Sequence, residues 1–189
     1  MTTKRGRPRR ETGISREIIL MTGLEMLDHA GPQGFSMRNL ASQLEVTPMA
    51  IYHHFANREA LMGELSDLVY AQVVKDFKSA SGEIRDKIKK LLLLYYKTGL
   101  QHPNLILTIF STPEAFSTEV RQITNCLAAL LETTKLPEDR QQMWLEILVD
   151  FTHGSSIATA MVSKTNPSFA KEQTAKYARQ LDELLDQIF

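Results

Sequence analysis

The sequence predicts an all-α protein of about nine helices, and three observations lead to this prediction. Apolar residues make up 43% of the 189 residues and are concentrated in long stretches of leucine, isoleucine, methionine and alanine. Nine glycines and seven prolines are too few for the frequent turns of a β-sandwich. The apolar residues also recur every three or four positions, which is the period of a helix with one buried face.

Three short helices are predicted before residue 56 from their capping signals. Ser15 is a suitable N-cap for the first helix, which Gly31-Pro32 ends. Ser36 caps the second helix. Thr47 precedes Pro48, which is a cap residue followed by proline at the first helical position, and a third helix runs from there to about His54.

Longer helices follow. The first begins at Asn57 and ends near Gly82, and the apolar residues that it directs inward are Leu61, Leu65, Leu68, Val69 and Val73. The remaining helical segments are predicted over about 84–101, 105–110, 114–133, 137–162 and 167–189. These patterns divide the chain into a basic flexible arm, a group of short helices and a larger helical domain, over residues 1–13, 14–60 and 61–189.

Several classes of protein are excluded by composition. Cys126 is the single cysteine, so there is neither an intrachain disulfide nor a cysteine cluster for structural zinc. His102, His153 and Cys126 match no spacing of metal ligands, so no metal and no cofactor are predicted. No apolar run approaches the roughly 18 residues of a membrane span. We therefore expect a cytoplasmic protein without a membrane partner.

The formal charges of the whole chain cancel, but they are unevenly distributed along the sequence. The formal net charge is zero, yet five basic residues and no acid fall within the first ten positions. The arginines of this arm suit an adjacent minor groove of DNA, and they are Arg5, Arg7 and Arg9. A disordered basic tail that only raises non-specific affinity is the alternative interpretation.

The segment from Ser36 to Phe55 carries the functional signal. Its apolar residues can pack into one small core, and they are Leu40, Ala41, Leu44, Val46, Ile51 and Phe55. The opposite side of the third helix presents short or planar side chains able to touch base edges or phosphates. On periodicity alone, an ordinary helical hairpin with a solvated outer face explains the segment equally well.

Residue identity favours DNA binding. The chain shows in order Phe35-Ser36, Leu40-Ala41, Leu44-Glu45-Val46, Tyr52-His53-His54-Phe55 and Arg58-Glu59-Ala60-Leu61. Over about residues 14–65 this pattern resembles the TetR/AcrR family of transcriptional regulators. The resemblance implies a homodimer that binds palindromic operator DNA through a helix-turn-helix and releases it when an effector binds. We accordingly interpret residues 14–60 as the DNA-binding domain and residues 61–189 as the ligand-binding and dimerisation domain.

The resemblance also implies which residues contact DNA. They are Ser36, Arg38, Thr47, Pro48, Met49, Ala50, Tyr52, His53, His54 and Arg58. Tyr52 and His54 are expected at phosphates, and residues 47–50 nearest the bases. Glu45 departs from the family, which usually has glycine there because that turn residue often has a left-handed backbone. We expect a strained turn whose carboxylate repels a nearby phosphate.

The carboxy-terminal part shows no family-wide pattern. An apolar effector pocket is predicted from an aromatic and methionine-containing set, namely Tyr95, Tyr96, Phe110, Phe116, Met143, Trp144, Phe151 and His153. A hydrophobic or aromatic small molecule suits such a pocket. The dimer interface is predicted at Ile147, Gly154, Ile157, Ala158, Met161, Tyr177, Leu181, Leu184 and Leu185 on the last two helices.

Two other classes of function compete with a ligand-responsive regulator. An enzyme is disfavoured because the sequence has no phosphate-binding glycine loop, no nucleophile elbow and no metal-binding histidine pair. A DNA-binding architectural protein without an effector would keep the helix-turn-helix. It would not need the long helical domain that follows.

Overall fold

The computed structural model describes residues 13–78, 80–112, 117–163 and 167–189. All regular structure within these ranges is helical, which confirms the predicted all-α class. The helices are α1 (Arg16–Gly34), α2 (Met37–Gln43), α3 (Pro48–Tyr52), α4 (Arg58–Lys78), α5 (Ile84–Gln101), α6 (Pro103–Ser111), α7 (Thr118–Glu132), α8 (Glu138–Ser163) and α9 (Pro167–Leu185).

The predicted caps set the helix starts of the amino-terminal part. The Ser15 hydroxyl oxygen accepts a hydrogen bond from the Ile18 N–H at 3.2 Å, and Ser36 does the same for Asn39 at 3.1 Å. The Asn57 side chain accepts from the Ala60 N–H at 2.7 Å. Each satisfies a backbone donor that the first turn of a helix leaves unpaired.

Several boundaries differ from the prediction: α6 begins at Pro103 rather than at Leu105, and α9 ends at Leu185 rather than at Phe189. The regular part of α1 breaks at Gly31, whose backbone has φ 70°, and one more helical turn follows through Gly34. α3 ends at Tyr52 rather than at His54. The predicted helix start at Glu114 lies outside the described residues, within which α7 begins at Thr118 with Ser117 as its cap.

The predicted apolar residues of the helix pair pack together, and they do so as part of a core shared with α1 and α4. Leu40 and Ala41 of α2 are buried together with Ile51 of α3. Leu44 and Val46 lie half-buried at the edge of this core. Gly23 of α1 sits at the crossing, where a Cβ atom would be in ordinary van der Waals contact with three side chains, at 3.7–3.8 Å.

The inward direction predicted for Leu68 is wrong. Leu61, Leu65 and Val73 are buried in α4, but Leu68 is 43% exposed. Leu68 lies two turns after Leu61 on the same side of the helix. Its exposure therefore reflects a change in what packs against α4 along the helix, which a repeat in the sequence does not reveal.

α5 and α8 form the centre of the larger helical part, with α4, α6, α7 and α9 around them. Gly99 lets α5 approach α8 closely, since a Cβ atom there would lie 2.6 Å from the Ser156 hydroxyl oxygen. α9 is fixed against α5 by ion pairs, in which Arg85 and Lys89 reach Asp182 at 3.4 and 2.7 Å. In the described part of the chain, no helix is long and apolar enough to cross a membrane.

Candidate nucleic-acid interface

The turn between α2 and α3 is a Schellman motif built without glycine. The Val46 N–H donates to the Ala41 carbonyl at 3.0 Å, and the Glu45 N–H donates to the Ser42 carbonyl at 3.2 Å. This pair of bonds requires a left-handed residue between them, and Glu45 has φ 54°. The left-handed turn expected from the sequence is therefore present, and a non-glycine residue occupies it at some cost in free energy.

α3 is a short helix with one buried anchor and an outer face open to solvent. Ile51 is completely buried, whereas Met49 is 62% exposed and Tyr52 is 43% exposed. Thr47, Pro48 and His53 are also exposed, and Ala50 is half-buried. The Thr47 side chain makes no capping hydrogen bond. This face offers a hydroxyl, a thioether, a phenol and an imidazole on a rigid support.

The other predicted contact residues lie on the flanking elements. Arg38 of α2 is exposed. Ser36 is half-buried, and its hydroxyl oxygen caps α2 by accepting from the Asn39 N–H. The guanidinium of Arg58 lies 5.7 Å from the centre of the Phe35 ring, and Arg58 and His54 are half-buried. The arm residues Arg5, Arg7 and Arg9 lie outside the described residues.

Arg16 of α1 contacts both the end of α3 and α4, and it was not among the residues predicted from the sequence. Its guanidinium lies 4.2 Å from the centre of the Phe55 ring and donates to the His54 carbonyl. Its Nε also donates to Glu64 of α4 at 2.8 Å. The end of α3 is thereby tied to α1 and α4. Because these partners are 38 and 48 residues away, no local pattern signals the contact.

A second unpredicted contact joins α1 to α6. His102 Nδ1 lies 2.8 Å from a carboxylate oxygen of Asp28, and the Asn104 amide donates to the Leu27 and Asp28 carbonyls at 3.0 Å. We call Asp28, His102 and Asn104 the α1–α6 clasp. It lies just before the break at Gly31 and links the helix-turn-helix unit to the remainder of the chain.

The predicted effector residues form two packed clusters instead of one open set. Phe110 and Tyr95 contact His153, with ring centres 4.8 and 5.1 Å apart. Tyr96 and Phe151 stack on Tyr177, with centres 4.1 and 5.3 Å apart.

The structure describes two of the remaining three residues of that set. Trp144 is buried, and its indole N–H has no hydrogen-bond partner in the structure. Met143 is half-buried. Phe116 lies outside the described residues.

Three of the predicted dimer residues need correction. Tyr177, Leu181 and Leu185 are buried inside the monomer, where α9 packs on α5 and α8, so they are not available to a second chain. Their apolar spacing marked a buried face without revealing what covers it. The others remain accessible in the single chain: Ile147, Gly154, Ala158 and Met161 are exposed, and Ile157 and Leu184 are half-buried.

The fold and this site define an all-α protein with an amino-terminal helix-turn-helix. Residues 19–65 match the family model described as "Bacterial regulatory proteins, tetR family". Over this segment, the chain is therefore similar to a family of bacterial regulatory proteins. The predicted resemblance is thereby confirmed.

Curated relatives share this segment. The chain is 39% identical over 54 residues to the tetracycline repressor protein class C of Escherichia coli, which is 29% of this chain and 25% of the relative. It is 34% identical over 56 residues to the class G repressor of Vibrio anguillarum, covering 30% of this chain and 27% of the relative. The matching stretch thus spans about a quarter of each relative.

Solved structures share the fold over nearly the whole chain. Mycobacterium smegmatis BioQ superposes with a TM-score of 0.75 at 19% identity, covering 93% of this chain and 97% of BioQ. A TetR variant from Acinetobacter baumannii in complex with minocycline gives 0.70 at 19% identity, covering 92% and 96%. BioQ with its double-stranded DNA operator gives 0.62 at 18% identity, covering 88% and 99%.

Proposed function

We propose that this chain is a ligand-responsive transcriptional repressor that binds palindromic operator DNA as a homodimer. The observation that carries the proposal is the outer face of α3, held outward by the buried Ile51 and open to solvent at Met49 and Tyr52. An ordinary hairpin with a solvated outer face would expose these side chains as well, and the match of residues 19–65 to bacterial regulatory proteins favours DNA binding. The operator complex of BioQ, which has the same fold, supports this use of the face.

In the proposed complex, α3 enters the major groove with residues 47–50 nearest the base edges. Tyr52 and His54 contact phosphates, aided by Arg38, Ser36, His53 and Arg58 at the flanks. Arg5, Arg7 and Arg9 of the arm reach an adjacent minor groove. A two-fold symmetric pair of such helices suits half-sites roughly 34–36 Å apart.

The proposed dimer forms through the accessible side of α8. Gly154 and Ala158 are small and exposed, which permits close approach of a second helix, and Met161 is 70% exposed. Ile147 lies on the same helix, next to Leu184 of α9 in a shallow groove. Exposed apolar side chains in such a continuous group favour association with a second copy.

The proposed effector is a small hydrophobic or aromatic molecule that binds within the α5, α6 and α8 region. It prefers a conformation in which the two recognition helices have the wrong spacing, so binding shifts the population away from DNA. α4 and the α1–α6 clasp connect this region to the helix-turn-helix. The related fold solved with bound minocycline supports an effector in this domain.

Selection of binding sites from random-sequence DNA tests the proposal. We expect a palindrome to be enriched, and we expect Tyr52→Ala and Met49→Ala each to weaken its binding at least about tenfold. Met21→Ala serves as the matched control for Met49→Ala, because Met21 is exposed on α1. If no site is enriched, or if Met21→Ala weakens DNA binding as much as Met49→Ala, the helix pair serves only for packing and the proposal is rejected.

A further inference from the structure

Tyr95 of α5 and His153 of α8 form a polar pair inside the larger helical part. The Tyr95 hydroxyl is hydrogen-bonded to His153 Nε2. The ring of Tyr70 packs on Tyr95 with centres 5.5 Å apart, and the ring of Phe110 meets the imidazole edge-on. His153 Nδ1 is buried and has no hydrogen-bond partner. A buried polar atom left unpaired is destabilising, so this atom points to a missing partner.

Whether that partner is a hydrogen-bond donor or acceptor depends on which nitrogen of His153 carries the proton. Burial raises the pKa of the Tyr95 hydroxyl and lowers the pKa of His153, the latter opposed by the negative charge of Asp150. Both groups are neutral at pH 7. The Tyr70 hydroxyl is hydrogen-bonded to Tyr95 as well, and because that bond raises the pKa of Tyr70 and opposes the rise at Tyr95, Tyr70 is its donor. The proton of the Tyr95 hydroxyl is therefore donated to His153 Nε2. The imidazole proton then lies on Nδ1, which is a donor without an acceptor.

The surroundings restrict the chemistry of a ligand further. Asp150 is the charge that acts on His153, and it repels a carboxylate or a phenolate. Tyr70, Tyr95 and Phe110 supply aromatic surface. Phe110 is 59% exposed, so its ring can be exchanged for another planar ring at little cost in buried area.

We infer that the effector is a neutral ring compound with a carbonyl oxygen, which accepts a hydrogen bond from His153 Nδ1. Tyr95 is a positioning residue that holds the imidazole in the donating tautomer, and Phe110 gives way to the ring of the ligand. This inference rests on the proposed function, because it names the effector class of that regulator.

Three naphthalenes of similar shape provide the test by calorimetry on the full chain. 2-Acetonaphthone carries the neutral acceptor, 2-isopropylnaphthalene lacks it, and 2-naphthoate carries a charge. We expect 2-acetonaphthone to bind at least about tenfold more tightly than either of the other two, which is the contribution of one good hydrogen bond.

Variants of Tyr95 and His153 test whether these two residues cause the preference for 2-acetonaphthone. His153→Phe removes the donor and should abolish the preference for the ketone. Tyr95→Phe leaves the imidazole free to adopt either tautomer, so it should reduce the preference. Tyr96→Phe is the matched control, because the Tyr96 hydroxyl donates to Thr159 at 3.0 Å in the other aromatic cluster. If a variant fails to fold, ¹⁵N NMR of His153 in the unaltered protein decides: Nδ1 should carry the proton, and its resonance should shift with 2-acetonaphthone only.

Equal binding of the three compounds, preference for 2-naphthoate, no binding of any, or a proton on Nε2 would each overturn the inference. Operator affinity, measured on the same preparation, separates the two proposals. Intact operator binding with no ketone preference rejects the effector class alone. A protein that binds no DNA sequence selectively rejects the proposed function instead.

Discussion

Glu45 shows how one residue can carry strain in a site. The turn that aims α3 requires a left-handed backbone, and Glu45 has φ 54° where glycine would be unstrained. Its exposed carboxylate also stands just before the recognition helix. The sequence identified this position, because the motif fixes where the left-handed residue must fall.

Glu45→Gly should therefore raise the free energy of unfolding by about 0.5–1 kcal/mol, since relief of strain outweighs the entropy of glycine. Operator binding should also strengthen, because a charge that repels phosphate is removed. Urea denaturation measures the first effect. Gln43→Gly is the control: Gln43 is helical, so the same substitution should cost up to about 1 kcal/mol. Equal losses in both variants would contradict strain at Glu45.

Gly99 shows a requirement for space rather than for conformation. A Cβ atom there would lie 2.7 Å from Ile106 Cδ1, which can turn away, and 2.9 Å from Ser156 Cβ, which cannot, so α5 would have to move relative to α8. Nothing in the sequence around Gly99 distinguishes it from a glycine that merely weakens a helix.

We expect Gly99→Ala to lower the free energy of unfolding by about 1–3 kcal/mol through overpacking. Gly23→Ala is its matched control, because a Cβ atom at Gly23 of α1 would be in ordinary van der Waals contact, at 3.7–3.8 Å. Alanine there should be neutral or stabilising by up to about 1 kcal/mol in the monomer. Thermal unfolding of both variants makes the comparison, and a Gly99→Ala protein as stable as the parent would reject the close crossing.

At the scale of elements, the α1–α6 clasp is the contact that joins two parts of the chain. Three donor–acceptor distances of 2.8–3.0 Å connect α1 to the start of α6, at sequence separations of 74–77 residues. Such pairs are invisible to periodicity. The caps at Ser15, Ser36 and Asn57 were predictable because each lies within three residues of the N–H that it satisfies.

Asn104→Ala should loosen this connection. The substitution leaves two carbonyls of α1 without their donor, and we expect a loss of about 1–2 kcal/mol in the free energy of unfolding. Hydrogen exchange at the end of α1 should accelerate as well. The matched control is Asn125→Ala on the exposed side of α7. Unchanged exchange in α1 would show that the clasp does not hold the two parts together.

At the scale of the whole molecule, apolar spacing in the sequence does not distinguish a buried core from an interface. Tyr177, Leu181 and Leu185 have the helical spacing of an apolar face, and that face is covered by the chain's own helices. Met161 has the same apolar character but is open to solvent. Only the packing of α9 against α5 and α8 distinguishes these cases.

The proposed dimer makes a direct prediction about Met161. Met161→Lys places a charge on the accessible side of α8 and should convert the dimer to monomer in sedimentation experiments, with loss of binding to a full palindrome. Leu68→Lys is the control, because Leu68 is an exposed leucine on another helix. If the Met161→Lys protein remains dimeric, the dimer interface does not include this side of α8.

One buried side chain has a practical consequence. Trp144 is the single tryptophan of the sequence and lies in α8, far along the chain from the helix-turn-helix. Tryptophan fluorescence of the protein therefore originates in the larger helical part, because α1, α2 and α3 contain no tryptophan. Rearrangement around α8 is observable by emission alone, without a dye, while a labelled oligonucleotide independently follows occupancy of DNA.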